Sequence, residues 1–213
     1  MVLNQSFTIP DRKQAALLLA QKIIQNRNSD AIVFGIPYGG AVIGYQLAKK
    51  MKLSFDVIAC RPIPHPADER RTIGSVSVDE VVIHDEGYDI PRDYVYHQIM
   101  RRQNALKAQQ TLYRSARPAE VTIRNKEVIV AGDIVKSADS LLAAIRTLRK
   151  RKPSKIIVAA TVLTPEAMAR LSDEVDDIVF LFMETSIPSG SFYEEATIIG
   201  DEDVKDLLRR SGV

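Results

Sequence analysis

The polar residues best placed for chemistry are concentrated at one junction, residues 127–141. Residues 128–131 are apolar and β-branched or small, which predicts a short buried strand. Asp133 follows this strand, and a polar loop containing Lys136 and Ser137 then precedes apolar residues at helical spacing. In open α/β sheets ligands bind beyond the carboxyl ends of the strands, and a helix N-terminus offers free N–H groups to an anion. The junction therefore predicts a loop suited to phosphate.

Asp139 works against this prediction, because it lies where the loop becomes helix, a favoured N-cap position. A capping carboxylate would occupy the N–H groups that a phosphate would use. Two like charges ~4 Å apart at a surface-like dielectric repel by about 4 kcal/mol. We expect Asp139 to cap the helix and to oppose phosphate, with Lys136 offsetting part of the repulsion.

A second candidate loop follows the first predicted strand. Gly39 and Gly40 would let the backbone approach a ligand closely. Arg61 follows the second predicted strand and could face an anion or form a surface salt bridge. Asp133 likewise has a structural alternative, an Asx-turn at a strand end.

The other reactive residue types predict no further site. His65, His84 and His97 lack metal-ligand spacing, and the sequence shows no serine or cysteine triad signature. Cys60, the one cysteine, closes an apolar run and is expected to be a buried, inert thiol. A single cysteine excludes an internal disulfide.

The composition is that of an ordinary globular protein. Apolar residues make up 46% and charged residues 26% of the 213 residues, and the net charge is +2. This charge is too small to indicate a nucleic-acid partner by itself. No window approaches the length of a membrane-spanning helix, and the first residues lack a signal-peptide pattern. We expect a cytoplasmic protein with no membrane and no nucleic-acid partner.

The predicted elements alternate between strands and helices. Buried strands are expected at residues 31–36, 53–60, 128–131, 155–161 and 177–182. Helices are expected at residues 12–25, 41–48, 139–148, 165–171 and 201–210, the first capped by Asp11. Three further segments interrupt this order: a proline-rich loop at 61–71, a β-hairpin at 72–78 and 81–85, and a long polar helix at 91–115.

This order predicts an α/β fold with a doubly wound, mainly parallel sheet of about five strands. Residues 1–213 are expected to form a single domain. Residues 61–120 would be an inserted subregion, made of the hairpin and the long helix, beside the strand tips.

The junction at 127–141 resembles the phosphoribosyl-pyrophosphate signature of type I phosphoribosyltransferases, in which a strand ends in two acids and a Thr-Gly-rich loop follows. Ile-Pro-Tyr-Gly-Gly at 36–40 resembles the Pro-Arg-Gly-Gly loop of a prokaryotic subgroup. Arg61 and Ile-Gly-Ser-Val at 73–76 keep the subgroup's spacing, and Phe-Tyr-Glu-Glu at 192–195 is similar to its tail. The four matches occur in order along nearly the whole chain.

The resemblance implies the family's fold and a site for phosphoribosyl pyrophosphate or a nucleotide. It implies that Asp133 is catalytic and that the 5′-phosphate loop consists of Asp133, Ile134, Val135, Lys136, Ser137, Ala138, Asp139 and Ser140. It assigns pyrophosphate to Tyr38, Gly39, Gly40 and Arg61. Magnesium would be held through pyrophosphate and water, with no direct protein ligand. A homodimer and a role in nucleotide metabolism are also implied.

Together with Asp139, two substitutions in the motifs bear on activity. Gly132 replaces the first acid and removes a charged hydrogen bond worth roughly 1.5–3 kcal/mol, and Tyr38 replaces the loop's arginine. One hypothesis is an enzyme that transfers phosphoribosyl to a nitrogenous base. A second is a catalytically weakened or inactive regulatory protein that binds a nucleotide or phosphoribosyl pyrophosphate. A third is a structural or oligomer-forming protein with an empty site.

Overall fold

A computed structural model describes residues 8–24, 30–84, 89–117, 119–185, 192–195 and 197–212. Helices and strands alternate along residues 12–57 and 127–211. The elements are α1 (Arg12–Ile23), β1 (Ile32–Gly35), α2 (Gly39–Met51), β2 (Ser54–Val57), β3 (Arg61–His65), β4 (Asp68–Val76), β5 (Val81–Ile83), α3 (Arg92–Ala116), β6 (Glu127–Val135), α4 (Asp139–Lys150), β7 (Lys155–Leu163), α5 (Pro165–Ser172), β8 (Asp177–Met183) and α6 (Asp201–Ser211).

The main sheet has five parallel strands in the order β2-β1-β6-β7-β8. The chain first winds outward from β1 to β2, then returns to place β6 on the other side of β1 and winds outward to β8. The direction of winding therefore reverses between β1 and β6, which is where doubly wound sheets form a ligand crevice. This topology confirms the predicted fold class.

Both faces of this sheet are buried, because successive side chains of a strand point to opposite faces. In β6, Val128 and Val130 belong to the core formed with α4 and α5. Ile129 and Ala131 belong to the core formed with α1 and α2. Burial on both faces explains why the sequence of this strand is continuously apolar rather than alternating.

The loop predicted at residues 61–71 is wrong, since β3 and β4 cover most of it. These strands pair antiparallel and, with β5, form a three-stranded sheet in the order β3-β4-β5. Pro62 and Pro64 are accommodated because β3 is an edge strand whose register shifts next to Pro64. The predicted hairpin is present as β4 and β5.

Several element boundaries also differ from those expected. β6 extends to Val135, four residues beyond its predicted end, because β7 continues alongside it: Ile134 pairs with Val162 and Val135 with Leu163. Asp11 caps α1 as expected, and its carboxylate accepts a hydrogen bond from the Gln14 N–H at 2.7 Å. The predicted ends at residues 25 and 85 lie outside the described residues.

Cys60 is a free, buried cysteine, and burial raises the pKa of its thiol well above the ordinary value. The thiol is therefore neutral, as expected for an inert position. Within the described ranges, none of the helices has the length and apolar character needed to cross a membrane.

Candidate functional site

A cleft of about 490 Å³ lies where the winding of the sheet reverses, beyond the carboxyl ends of β1 and β6. Both predicted loops line it. Their lining residues are Tyr38, Gly39, Gly40, Asp133, Ile134, Val135, Lys136, Ser137, Asp139 and Ser140. Ala138 is fully buried below the loop. The structure thus brings together two segments that lie almost 100 residues apart in the sequence.

Asp139 does not cap α4, so the expected capping interaction is wrong. The N-cap is Ala138, which forms no side-chain cap, and Asp139 is the first helical residue. The first intrahelical bond runs from the Leu142 N–H to the Ala138 carbonyl at 2.8 Å. The N–H groups before Leu142 therefore have no partner within the helix. The Asp139 side chain instead contacts partners outside the backbone of α4.

Those partners surround the Asp139 carboxylate, whose side chain is only 3% exposed. A guanidinium nitrogen of Arg170 in α5 lies 2.8 Å from Oδ1. The Ser137 hydroxyl donates to Oδ2 at 2.6 Å, and Thr72 donates to the same oxygen at 3.4 Å. His84 Nε2 lies 3.5 Å from Oδ2. The negative charge that was expected to oppose phosphate is thus paired within the protein.

Asp133 lies within β6, on the face that Ile129 and Ala131 turn towards α1 and α2. Arg12 of α1 donates from Nε to Oδ2 at 2.7 Å, forming an ion pair. The Tyr193 hydroxyl donates to Oδ1. Both carboxylate oxygens therefore accept hydrogen bonds from the protein, and the side chain keeps 14% exposure at the cleft.

Tyr193 is held firmly in this arrangement. Its hydroxyl lies 3.0 Å from Thr161 Oγ1, and the Arg12 guanidinium stands 5.0 Å from the centre of its ring. The backbone around it pairs with Ile9 through a parallel β-bridge. Burial, and then the negative charge of Asp133, raise the pKa of Tyr193 well above its ordinary value. The hydroxyl is therefore neutral and remains a donor to the carboxylate.

Replacing Tyr193 with phenylalanine is expected to lower the free energy of unfolding by about 1.5 kcal/mol, because a buried hydrogen bond to a charged group is lost. Chemical denaturation would measure the change. Tyr96→Phe is the matched control, since this side chain is 62% exposed and a change within about 0.5 kcal/mol is expected. Equal stability of the two variants would contradict the role given to the hydroxyl.

Gly39 and Gly40 begin α2 and bring its backbone against β6. A Cβ atom at Gly39 would lie 2.0 Å from Asp133 Oδ2, and one at Gly40 would lie 2.5 Å from the Ala131 carbonyl oxygen. The peptide bond between Pro37 and Tyr38 is cis. The two glycines are therefore required by close approach to the central strand, beside the cleft.

Tyr38 points from this loop towards α3 and α6. Gln109 donates to the Tyr38 hydroxyl at 3.3 Å and to Asp201 at 2.6 Å. The Tyr113 hydroxyl also donates to Asp201, at 2.6 Å. Burial would raise the pKa of Asp201, but these hydrogen bonds and the charge of Arg61 outweigh it and lower that pKa. Arg61 was expected to face pyrophosphate. In the structure its charge helps to lower the pKa of Asp201, at the start of α6.

Gly132 is buried at the point where the resemblance expects a first acid. An added Cβ would lie 2.9 Å from Val135 Cγ2 and 3.7 Å from Leu141 Cδ1. The position is therefore filled by apolar neighbours. In the part of the chain that the structure describes, no three His, Cys, Asp or Glu side chains are grouped as metal ligands.

Three site residues were missed at the level of sequence: Arg12, Arg170 and Tyr193. Arg12 lies 121 residues from Asp133, and Tyr193 lies 60 residues from it. Tyr193 had a signal in the aromatic pair of the tail. Nothing in the sequence indicated Arg12 or Arg170, because each is a charged residue in a helix and belongs to no motif.

Two solved structures have folds similar to this one. TT1426 from Thermus thermophilus is similar with a TM-score of 0.78 and 25% identity, covering 95% of this chain and 98% of that chain. A purine phosphoribosyltransferase from Pyrococcus horikoshii has a TM-score of 0.51 and 15% identity, with coverage of 89% and 93%. At that identity the second likeness shows the fold alone.

Among curated proteins, two from Mycobacterium tuberculosis strains, both provisionally named phosphoribosyl transferases, are 22% identical over 207 residues. The match covers 94% of this chain but 46% of each relative, so the chain spans less than half the length of these proteins. A family model, the phosphoribosyl transferase domain, matches residues 4–190. With the fold and both loops in place, the chain belongs to the phosphoribosyl transferase domain family.

Proposed function

We propose that the cleft binds phosphoribosyl pyrophosphate, or a related compound with a ribose 5′-phosphate, and that the protein transfers phosphoribosyl to a nitrogenous base, releasing pyrophosphate. Family membership supports the reaction class. The observation that carries the proposal is the uncapped N-terminus of α4 at the cleft. Its N–H groups and the helix dipole suit a phosphate dianion, and the Asp139 carboxylate does not occupy them.

The surrounding residues supply the other interactions that this ligand needs. Ser140 lines the cleft beside the helix N-terminus, and its hydroxyl, which lies 3.2 Å from Ser75 Oγ, can turn to a phosphate oxygen when the ligand binds. Lys136 is exposed at the cleft and adds positive charge. Gly39 and Gly40 line the cleft in the first turn of α2, where backbone N–H groups without intrahelical partners can bond pyrophosphate. Asp133 is the candidate partner for the ribose hydroxyls.

Magnesium fits this cleft as a companion of the ligand. Asp133 is the carboxylate beside both loops, and its two oxygens already accept bonds from Arg12 and Tyr193. Magnesium keeps several waters and binds readily to phosphate oxygens, so it needs few protein ligands. It would neutralise charge on the pyrophosphate, while the protein's own contribution is the backbone of the two loops.

A second candidate is a protein that binds the same ligand without turnover. The engagement of both Asp133 oxygens favours it, because a ribose hydroxyl must then compete with Arg12 and Tyr193. Gly132 offers no carboxylate to compensate. The proposed 5′-phosphate contacts come from the loop after β6 and not from Asp133 or from an acid at position 132. Ligand affinity and catalytic activity can therefore be lost separately.

Calorimetric titration with magnesium–phosphoribosyl pyrophosphate is expected to show micromolar affinity, with ribose 5-phosphate and AMP as comparison ligands. Ribose without phosphate is the control and should not bind detectably. No binding of any phosphorylated ligand at millimolar concentration would overturn both candidate functions and favour a structural role. This experiment tests the phosphate loop directly.

Release of pyrophosphate then separates the two candidates. We expect release in the presence of one member of a panel of purine and pyrimidine bases and none without a base. Tight binding with no release across the panel would favour the binding protein. The region made of β3, β4, β5 and α3, within residues 61–120, is the proposed place to seek base specificity, because it stands beside the cleft through Pro62 and Thr72.

A further inference from the structure

A buried acid lies directly under the candidate phosphate loop and receives its counter-charge from a different element. Asp139 lines the cleft at the first residue of α4. Arg170, in the last turn of α5, approaches its Oδ1 to 2.8 Å. The Arg170 side chain is 26% exposed and that of Asp139 is 3% exposed. The pair therefore lies largely out of solvent, where a charge left alone is costly.

The other neighbours of Asp139 do not replace this cation. The Ser137 and Thr72 hydroxyls donate hydrogen bonds but carry no charge. His84 Nε2 lies 2.6 Å from the Thr72 carbonyl oxygen, which can only accept, so Nε2 carries a proton directed at that carbonyl. It is farther, 3.5 Å, from Asp139 Oδ2. Among the described residues, Arg170 is thus the permanent positive charge in contact with the carboxylate.

The pair also sets the shape of the loop. Arg170 lies beside Oδ1, while Oδ2 accepts a hydrogen bond from the Ser137 hydroxyl at 2.6 Å. The same hydroxyl lies 3.3 Å from the Asp139 N–H. Without the arginine, the carboxylate would be free to bond the N–H groups at the start of its own helix, the groups that a phosphate needs.

We propose that Arg170 is a positioning residue of the phosphate site: it neutralises Asp139 and keeps that carboxylate off the N-terminus of α4, so that the loop accepts a 5′-phosphate dianion. The proposal rests on the function proposed above. It goes beyond it in assigning phosphate affinity to a cation of α5 that contacts the loop through Asp139.

Four proteins test this proposal: the wild type, Arg170→Met, Asp139→Asn, and the double variant. Titration with ribose 5-phosphate at low and high salt gives the dissociation constant of each. Arg170→Met is expected to weaken binding by about tenfold at low salt, the effect of one uncompensated charge near the ligand, and by less at high salt. The double variant should return to within about threefold of the wild type, because it removes both charges. Asp139→Asn should bind at least as tightly as the wild type.

The outcomes separate this inference from the proposed function. A wild type that does not bind ribose 5-phosphate overturns both. A wild type that binds, beside an Arg170→Met variant of equal affinity, overturns the inference alone. If Arg170→Met fails to fold, Asp139→Asn decides: unchanged or tighter binding supports the inference, and tenfold weaker binding overturns it. Arg146→Met, which removes a cation of α4 paired with Glu174, is the control and should leave affinity unchanged.

Discussion

Replacing Arg114 with methionine is expected to destabilise the folded state by about 3–5 kcal/mol. Its guanidinium lies 3.2 and 3.1 Å from the two carboxylate oxygens of Asp56, whose side chain is fully buried in β2. Methionine keeps much of the apolar stem but leaves Asp56 as an unpaired buried charge. The Val57 N–H, which donates to Oδ1 at 2.8 Å, would still bond the carboxylate. The free energy of unfolding from urea denaturation measures the effect.

The matched control is Arg146→Met, which breaks an ion pair of similar geometry in a wetter setting. Arg146 lies 2.6 Å from Glu174, but the two side chains are 42% and 30% exposed. Exposed pairs contribute about 0–1 kcal/mol. A loss below about 1 kcal/mol in Arg114→Met as well would mean that Asp56 is not held as a charged partner. The larger loss would show that the buried Asp56 requires Arg114 as its charged partner.

Replacing Gly40 with alanine is expected to destabilise the protein by about 2 kcal/mol and to abolish ligand binding. The new Cβ would meet the Ala131 carbonyl oxygen at 2.5 Å and the Gly132 Cα at 3.2 Å. Both are backbone atoms of the central strand, so no side-chain rotation relieves the clash. Overpacking of this kind costs about 3 kcal/mol, from which the better helix propensity of alanine recovers up to about 1 kcal/mol. Thermal unfolding and titration with ribose 5-phosphate measure the two effects.

Gly212→Ala is the control for this change. Gly212 is the C-cap of α6 with a φ of −88°, and an added Cβ would meet only the Arg209 carbonyl oxygen, at 3.7 Å. Its stability should stay within about 0.5 kcal/mol of the wild type and its affinity should not change. A stable, ligand-binding Gly40→Ala variant would show that α2 can move away from β6 without cost to the site.

Much of the framework follows from local sequence. Residues 31–36, 155–161 and 177–182 were predicted as strands and coincide with β1, β7 and β8, because β-branched apolar runs of this length suit buried parallel strands. Helix signals were equally local: Asp11 caps α1 through a residue three positions away. The positions of the two loops followed from these elements, since a doubly wound sheet brings the ends of its first and central strands together.

The predicted strand bounds are wrong where pairing with a neighbouring strand, rather than local composition, determines the backbone conformation. β3 forms despite its prolines because β4 supplies a pairing edge, and β6 continues past Gly132 because β7 runs beside it. Residue propensities predict that proline and glycine end a strand. A hydrogen-bonded sheet nevertheless tolerates proline in an edge strand and glycine at a buried position.

The candidate site shows the same division. The sequence by itself determined that a polar loop, a glycine pair and Asp133 would meet at one crevice, because periodicity and chain order specify the sheet. Only the tertiary structure decided how the charges of that crevice are paired: Arg12 reaches Asp133 across 121 residues, and Arg170 pairs with Asp139, which does not cap its helix. Capping preferences depend on residues three or four positions apart. A buried carboxylate is stabilised by a neighbouring cation, and the packing of helices around the sheet determines which cation that is.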